Sequence, residues 1–371
     1  MNIVTISGKI GSPSSYTSGI GKYENEVVKR LRCLHTVHTI EYDTYRFDYQ
    51  KRTINILFQL IYKVLFSISI PFRIPRSDVV HVLSQEYAYT LFFLPRRRTI
   101  LTVHDVIPFR HSDATNFLFR WYELLNLRGI RRAQHIITDS KYTERELTQH
   151  LHIDPHRITV VHPGVAEHYC AYTLEDVQRF VRMKHLPEHF ILYVGSDRPR
   201  KNVDVLIEAF AKARERIFDL HLVLVGRSEH GPTRQKIEQL VEERGLETFV
   251  HQFRNVPEEE LPLFYNAAAA TIFPSSREGF GWPPLEAFAC DCPVVATKET
   301  SLAEILGDAA YTVAARDEKA LAEAICSVVK DGSVQEKLVS RGREQVRRFT
   351  WEETMRGIKD VYEVKVLSAK N

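Results

Sequence analysis

No Asp-x-Asp occurs anywhere in the 371 residues, which argues against a divalent metal held by paired aspartates. Cysteine is scarce. Five residues, at 33, 170, 290, 292 and 326, fall in odd number without metal-ligand spacing, which fits a reducing compartment better than a disulfide framework. Cys290 and Cys292 make only C-x-C and read as small apolar fillers beside a helix end. Met1-Asn2-Ile3-Val4-Thr5-Ile6 has the pattern of a buried strand and no basic leader, so no secretory signal is expected. The glycine fingerprints are incomplete. Gly19-x-Gly21 is followed by Glu24 where a dinucleotide loop has its third glycine, and Gly21-Lys22 precedes Tyr23 without the upstream glycine of a P-loop, so nicotinamide oxidoreductase and P-loop nucleotidase readings both fail. RNA-binding signatures, zinc-finger spacing, internal repeats and low-complexity tracts are also absent, which sets nucleic acid aside as a partner.

The longest apolar stretch, 53–72 (TINILFQLIYKVLFSISIPF), does not read as a membrane span, which needs roughly 20 apolar residues without a central lysine. Asn55, Gln59, Lys63 and Ser67 recur every four residues and share one helical face. Two readings stay open: an interfacial helix beside Arg46, Lys51, Arg52, Arg73 and Arg76, and an ordinary domain helix with one wet face.

What is present suits two α/β domains. The length exceeds one ordinary core, and 44% apolar with 26% charged residues is a soluble composition. The net charge of +3 hides an asymmetry: residues 1–186 carry 25 Lys/Arg against 17 Asp/Glu, net +8, and residues 187–371 carry 25 against 30, net −5. The basic half is expected to meet an anionic partner, a membrane surface or phosphorylated lipid first. Strand-like runs alternate with helical patterns, predicting parallel sheets of βαβ units. Strands are expected at 2–7, 79–83, 99–103, 135–138 and 158–161, then at 190–194, 220–225, 249–253, 269–273 and 293–296, with a helix over 203–216. The predicted domains are 1–170 and 187–350, and a last helix within about 351–371 is expected to pack back on the first.

In a doubly wound sheet, ligands bind beyond the carboxyl ends of the strands, and three such ends in the second half carry chemistry. Phe190-Ile-Leu-Tyr-Val-Gly195 leads to Arg200 and Lys201 just ahead of a helix; Leu220-His-Leu-Val-Leu-Val-Gly226 leads to Arg227; and Ala270-Thr-Ile-Phe273 leads to SSREGFGWPPLEAFACDCPVV at 275–295. In the last, glycines let a ligand reach the backbone and proline opens a short helix whose N-terminus suits an anion. Arg200 and Lys201 suit a diphosphate, one binding two oxygens at once and the other supplying a mobile point charge. Glu278 and Glu286 would repel phosphate and must be aimed at something uncharged, such as sugar hydroxyls.

The string Glu278-Gly-Phe-Gly-Trp-Pro-Pro-Leu-Glu286 resembles the E-x7-E signature of family 4 retaining glycosyltransferases, nucleotide-sugar-dependent enzymes of the GT-B fold. The resemblance runs along nearly the whole chain: Gly19-Ile-Gly-Lys-Tyr23, Thr102-Val-His-Asp-Val-Ile-Pro108, Ile137-Thr-Asp-Ser140, His162-Pro-Gly-Val165, Pro199-Arg-Lys-Asn202 and Ser301-Leu-Ala-Glu-Ile-Leu-Gly-Asp308. Asp291 stands where the family usually has glycine, and Ala303 where proline is common. The resemblance implies two Rossmann-like domains facing a cleft, the first on the acceptor side. It further implies that Glu278 contacts donor sugar hydroxyls, Glu286 the ribose, and Arg200 with Lys201 the diphosphate, with the amides of Gly279, Phe280 and Gly281 holding the sugar. Prolines 283 and 284 lack N–H groups, so phosphate contacts from this helix fall to Trp282 or Leu285. From the first half, the loop at Gly19 and Gly21 approaches the phosphate and His104 faces the transferred sugar, while Asp105 orients His104 or caps its loop.

The expected reaction is retaining transfer of a hexose to an acceptor hydroxyl, with no cofactor and no metal. The wording His-Asp-Val-Ile-Pro-Phe and Pro-Arg-Lys-Asn resembles mannosyltransferases of surface-polysaccharide or lipid-linked glycan assembly, so GDP-mannose is the expected donor, with UDP-sugars next. A nucleotide-sugar epimerase, a phosphorylase and a non-enzymatic relative remain as alternatives. A cytoplasmic location, peripheral to the inner face of the cell membrane, follows from the basic half and the 53–72 helix.

Overall fold

A computed structural model describes residues 1–8, 10, 19–42, 52–106, 117–226 and 232–367. The chain divides into two units, Met1–Pro163 with Glu352–Asn371, and Gly164–Trp351.

The first unit runs β1 (Asn2–Gly8), α1 (Gly19–Leu34), β2 (Thr36–Tyr42), α2 (Arg52–Arg73), β3 (Val79–Val82), a 3₁₀ segment (Gln85–Phe93), β4 (Thr99–Val103), α3 (Phe117–Ile130), β5 (His135–Thr138), α4 (Lys141–Leu151) and β6 (Ile158–Val160). Its six strands are all parallel in the order β2-β1-β3-β4-β5-β6. Every residue of β3, β4 and β5 is buried, as expected for central strands covered on both faces. One face packs Val4, Ile6, Val80, Val82 and Leu101 against Phe66 and Ile70 of α2.

The second unit runs α5 (Leu174–Lys184), β7 (Phe190–Val194), α6 (Val203–Arg214), β8 (His221–Val225), α7 (Pro232–Glu243), β9 (Val250–Phe253), α8 (Leu261–Ala267), β10 (Ala270–Phe273), α9 (Trp282–Ala289), β11 (Val294–Thr297), α10 (Leu302–Leu306), β12 (Tyr311–Val313), α11 (Glu318–Lys330) and α12 (Gly332–Val346). Its strands are parallel in the order β12-β11-β10-β7-β8-β9. The chain moves outward from β7 through β8 to β9, then returns to β10 on the other side of β7. The switch point of the sheet therefore lies between β7 and β10, where ligands of doubly wound sheets bind.

From Glu352 the chain belongs to the first unit again, through α13 (Trp351–Asp360) and a π-helical turn, Val361–Leu367. Thr354 Oγ1 donates to His162 O at 2.8 Å. Tyr362 Oη meets His81 Nδ1 at 2.7 Å, and His81 Nε2 meets Thr102 Oγ1 at 2.8 Å. Burial, with the charge of His104 behind it, lowers the His81 imidazole to about 3, so this tie is a neutral one.

Two strands are not among those the sequence pattern predicts. β2 and β12 each lie at one border of their sheet, and their half-exposed, partly polar residues lack the continuous apolar run of a central strand. The helix over 53–72 forms, but the wet-face reading is corrected. Ser67 is buried, and Lys63 Nζ lies 3.4 Å from the ring centroid of Tyr122, its ammonium pulled down to about 8 by burial. Beneath lies a layer of phenols, Tyr42, Tyr87 and Tyr122 among them, which can accept polar side chains. The outward face is apolar instead. Arg46 and Lys51, and the side chains of Asn55 and Gln59, lie outside the described residues.

Candidate functional site

Adjacent, parallel β7 and β10 bring their carboxyl-end loops side by side. Ser276 N donates to Arg200 O at 2.9 Å, and Asn202 Nδ2 donates to Pro274 O at 2.9 Å. Asn202 takes a left-handed φ of 51°, a conformation asparagine tolerates, and so turns the chain sharply from Lys201 into α6.

Across this seam Lys201 Nζ donates to Glu278 Oε1 at 2.7 Å, and Arg200 Nη1 donates to Glu278 Oε2 at 3.0 Å and to Arg277 O at 2.8 Å. Lys201 and Glu278 are 8% and 6% exposed, so the ion pair is screened little by water. Burial alone would raise the Glu278 acid, but Lys201 and Arg200 outweigh it and hold it below the ordinary carboxylate value. The Lys201 ammonium is pulled below its ordinary value by burial.

The backbone around Glu278 is fixed from β11's exit. Glu278 N donates to Thr300 Oγ1 at 3.0 Å, and Ser301 Oγ donates to Glu278 O at 2.9 Å and Phe280 O at 2.7 Å. Thr300 has φ 55°, a strained setting for a β-branched residue. Gly281 has φ 122°, and a β-carbon there would lie 2.7 Å from Leu302 Cδ2. α9 then starts at Trp282, with prolines 283 and 284 next rather than first. Gly279 is half-buried and Phe280 and Leu285 are buried. The Trp282 indole donates to Gly164 O at 3.1 Å. Glu286, buried on α9, accepts from Tyr265 Oη at 2.8 Å. A cavity of about 50 Å³ lies at the carboxyl ends of β7, β8 and β9, beside Gly195, Gly226 and Arg254. A larger one, about 580 Å³, is lined by Glu208, Arg214, Phe218 and Arg244, away from these loops. Arg227 lies outside the described residues.

The first unit gathers polar groups at the carboxyl edge of its own sheet. His104, after β4, is buried; its Nδ1 lies 2.6 Å from Asp139 Oδ2, and its Nε2 lies 3.0 Å from Leu83 O. Both partners accept, so both ring nitrogens donate and the ring is an imidazolium. Burial alone would lower it, but Asp139 lifts it to about 9. The orienting carboxylate is therefore Asp139, after β5, and not the neighbouring Asp105, which is half-buried. Glu24 Oε2 accepts from Gly8 N at 3.1 Å; burial raises its acid to about 8, partly opposed by the His104 charge. Gly19 and Gly21 do not form a loop but the first turn of α1.

Thr300, Tyr265, Asp139 and Glu24 were not among the candidates. Asp139 and Ser301 lie within stretches that resemble the family, whereas nothing in the sequence marks Tyr265 as the partner of Glu286. All five cysteines are free, and Cys290 and Cys292 pack in the core as fillers, with burial pushing the Cys292 thiol up to about 12. Among the described residues no group of three or more His, Cys, Asp or Glu side chains is placed to hold a metal ion.

Two doubly wound parallel sheets, one with a cation–carboxylate cluster at its switch point, define the architecture of a GT-B glycosyltransferase. The family described as "Glycosyltransferase Family 4" matches residues 17–168, and "Glycosyl transferases group 1" matches residues 175–345. O-antigen chain mannosyltransferase B of Escherichia coli is 30% identical over 266 residues, 70% of this chain and 69% of that one. The chain is also 26% identical to the serotype-specific mannosyltransferase WbdA of E. coli over 69% of its length, but spans only 32% of that larger protein. Among solved structures, sucrose-phosphate synthase from Thermosynechococcus elongatus superposes with a TM-score of 0.81 at 22% identity, covering 100% of both chains. Anabaena HepE in complex with UDP and glucose superposes at 0.77 and 18% identity, over 98% of this chain and 99% of that one. The chain belongs to the family 4 glycosyltransferases.

Proposed function

We propose that the protein moves a hexose, mannose from GDP-mannose, to a hydroxyl of a glycan or lipid-linked acceptor, with retained anomeric configuration and no metal ion. The observation that carries this reading is the Arg200–Lys201–Glu278 cluster between β7 and β10. A diphosphate would take over the two cations, a guanidinium and an ammonium suited to its oxygens. Glu278, released from them, would accept hydrogen bonds from sugar hydroxyls, and Glu286 from the ribose. Arg227, Gly279, Phe280, Gly281, Trp282 and Leu285 would line the donor. From the first unit Gly19, Gly21, His104 and Asp105 are assigned to the donor by the resemblance, with His104 acting as a fixed cation rather than a base. The name of the E. coli relative favours mannose; the UDP and glucose bound by HepE make a UDP-sugar the second choice.

Double displacement would need a carboxylate behind the anomeric carbon, and in this reading Glu278 is engaged by the sugar hydroxyls instead. In the proposed step the bond from the anomeric carbon to the diphosphate breaks, the bond to the acceptor oxygen forms on the same face, and the acceptor's proton passes to the leaving phosphate. Arg200 and Lys201 stabilise the charge that develops there. The proposed setting is the inner face of the cell membrane, where a lipid-linked acceptor would be met.

Turnover of a panel of GDP-, UDP- and ADP-sugars, with and without chelator, tests the reading: GDP-mannose is expected to be used best and EDTA to change nothing. Lys201→Ala and Glu278→Ala should each lower transfer by at least about a hundredfold, the scale of losing a preorganised charge partner, while circular dichroism stays native. Full activity in either variant would refute the site.

A further inference from the structure

We propose that the outer face of α2, with its neighbours in the same layer, docks on an anionic lipid bilayer. Ile61, Val64, Leu65, Ile68 and Phe72 follow the spacing i, i+3, i+4, i+7, i+11 that makes one helical stripe, and they are 47%, 52%, 59%, 47% and 88% exposed. A helix packed in the ordinary sense buries such a stripe; α2 instead tucks Lys63 and Ser67 inward. Phe92 and Phe93 of the 3₁₀ segment, and Trp121 of α3, are exposed as well.

The charge beside this face selects its occupant. α2, the segment through Arg98, and α3 lead into β3, β4 and β5 respectively, so their last residues lie at the amino edge of the sheet. Arg73 and Arg76, then Arg96 to Arg98, then Arg128, Arg131 and Arg132 collect there. Over 61–76, 85–98 and 120–132, nine arginines, leaving aside the inward Lys63, stand against two acids, Glu86 and the buried Glu123. Arg98 and Arg132 are anchored on the carbonyls of Ser77 and Leu91, which positions them without cancelling their charge. An apolar face alone would also suit a second copy of the chain. Two such basic faces repel each other, whereas an anionic headgroup layer attracts them and admits the apolar stripe below it. No helix among the described residues is long and apolar enough to cross a membrane, so the contact is one of a helix lying in the interface.

The inference rests on the proposed function only for what the surface delivers, a lipid-linked acceptor; a vesicle assay is blind to catalysis. Flotation with phosphatidylglycerol vesicles should carry the full-length protein at least about tenfold more than phosphatidylcholine vesicles, and high salt should release it. Leu65→Glu with Ile68→Glu should lower flotation about tenfold with an unchanged melting temperature. Should that pair fail to fold, Phe72→Ser carries the same test at the most exposed position. Equal flotation on the two lipids, variant binding equal to wild type, or a wild-type dimer in sedimentation that the Glu pair dissolves would each overturn the proposal. If vesicles bind but no nucleotide sugar is turned over, the transfer reading falls and the docking face stands.

Discussion

Glu278 is the residue on which the site turns, because in the free protein it neutralises the cations that a diphosphate would need. A sugar-bearing donor can compensate the displaced carboxylate with hydroxyl donors; a bare diphosphate cannot, and leaves a buried charge without a partner. Glu278→Gln should therefore bind inorganic pyrophosphate about tenfold more tightly than wild type while losing transfer, and Glu286→Gln should leave pyrophosphate binding as it is. Calorimetric titration checks this; equal affinity in wild type and Glu278→Gln would show that the ion pairs do not compete. The first unit offers a titration test of a different kind. His104 is raised to about 9 and Glu24 to about 8, so each stabilises the fold below its unfolded pKa, about 6.5 and 4.5, and the contribution is lost as pH rises through the folded value. The melting temperature should fall between pH 5 and 9 on that account. The His104 part is about 3 kcal/mol, and Asp139→Asn should flatten the decline above pH 6.5.

At the scale of elements, the loop-to-helix turns hold the chemistry in place. Gly281→Ala would meet Leu302 and force an L-residue into φ 122°, so a loss of about 1–3 kcal/mol in denaturant unfolding is expected. Asp291 departs from the family's glycine at a position with φ 57°, and its carboxylate receives Arg343 through Nε at 2.6 Å and Nη2 at 2.7 Å. Asp291→Gly should be close to neutral, since relief of backbone strain offsets the lost pair, whereas Asp291→Ala loses the pair and keeps the strain, costing about 1 kcal/mol. Such positions show what the sequence discloses. The central strands were legible because burial on both faces demands continuous apolar runs, and the strand–loop–helix around 270–289 because glycine and proline punctuate it. β2 and β12 were not, since their half-exposed, partly polar residues carry no such run. The inward turn of Lys63 and Ser67 on α2 was also hidden, because helical periodicity gives a polar face but not what lies beneath it.

For the molecule as a whole, two parallel sheets followed from alternating apolar runs and the family from motif order along the chain, whereas the partners that fix each site residue did not. Tyr265 with Glu286 and Asp139 with His104 are separated in sequence by 21 and 35 residues; helix packing of α8 and α9 joins the first pair, and the adjacent strands β4 and β5 join the second. The charge asymmetry between halves has its counterpart in the basic layer of the first unit and in a second unit where acids outnumber bases. The most direct test of the central claim is a crystal structure with the intact donor bound. The account predicts the diphosphate within about 3 Å of Arg200 and Lys201, Glu278 rotated from both cations onto the sugar hydroxyls, and no metal density between the phosphates. A nucleotide bound elsewhere, or a donor held while Glu278 stays clamped on Lys201, would contradict it.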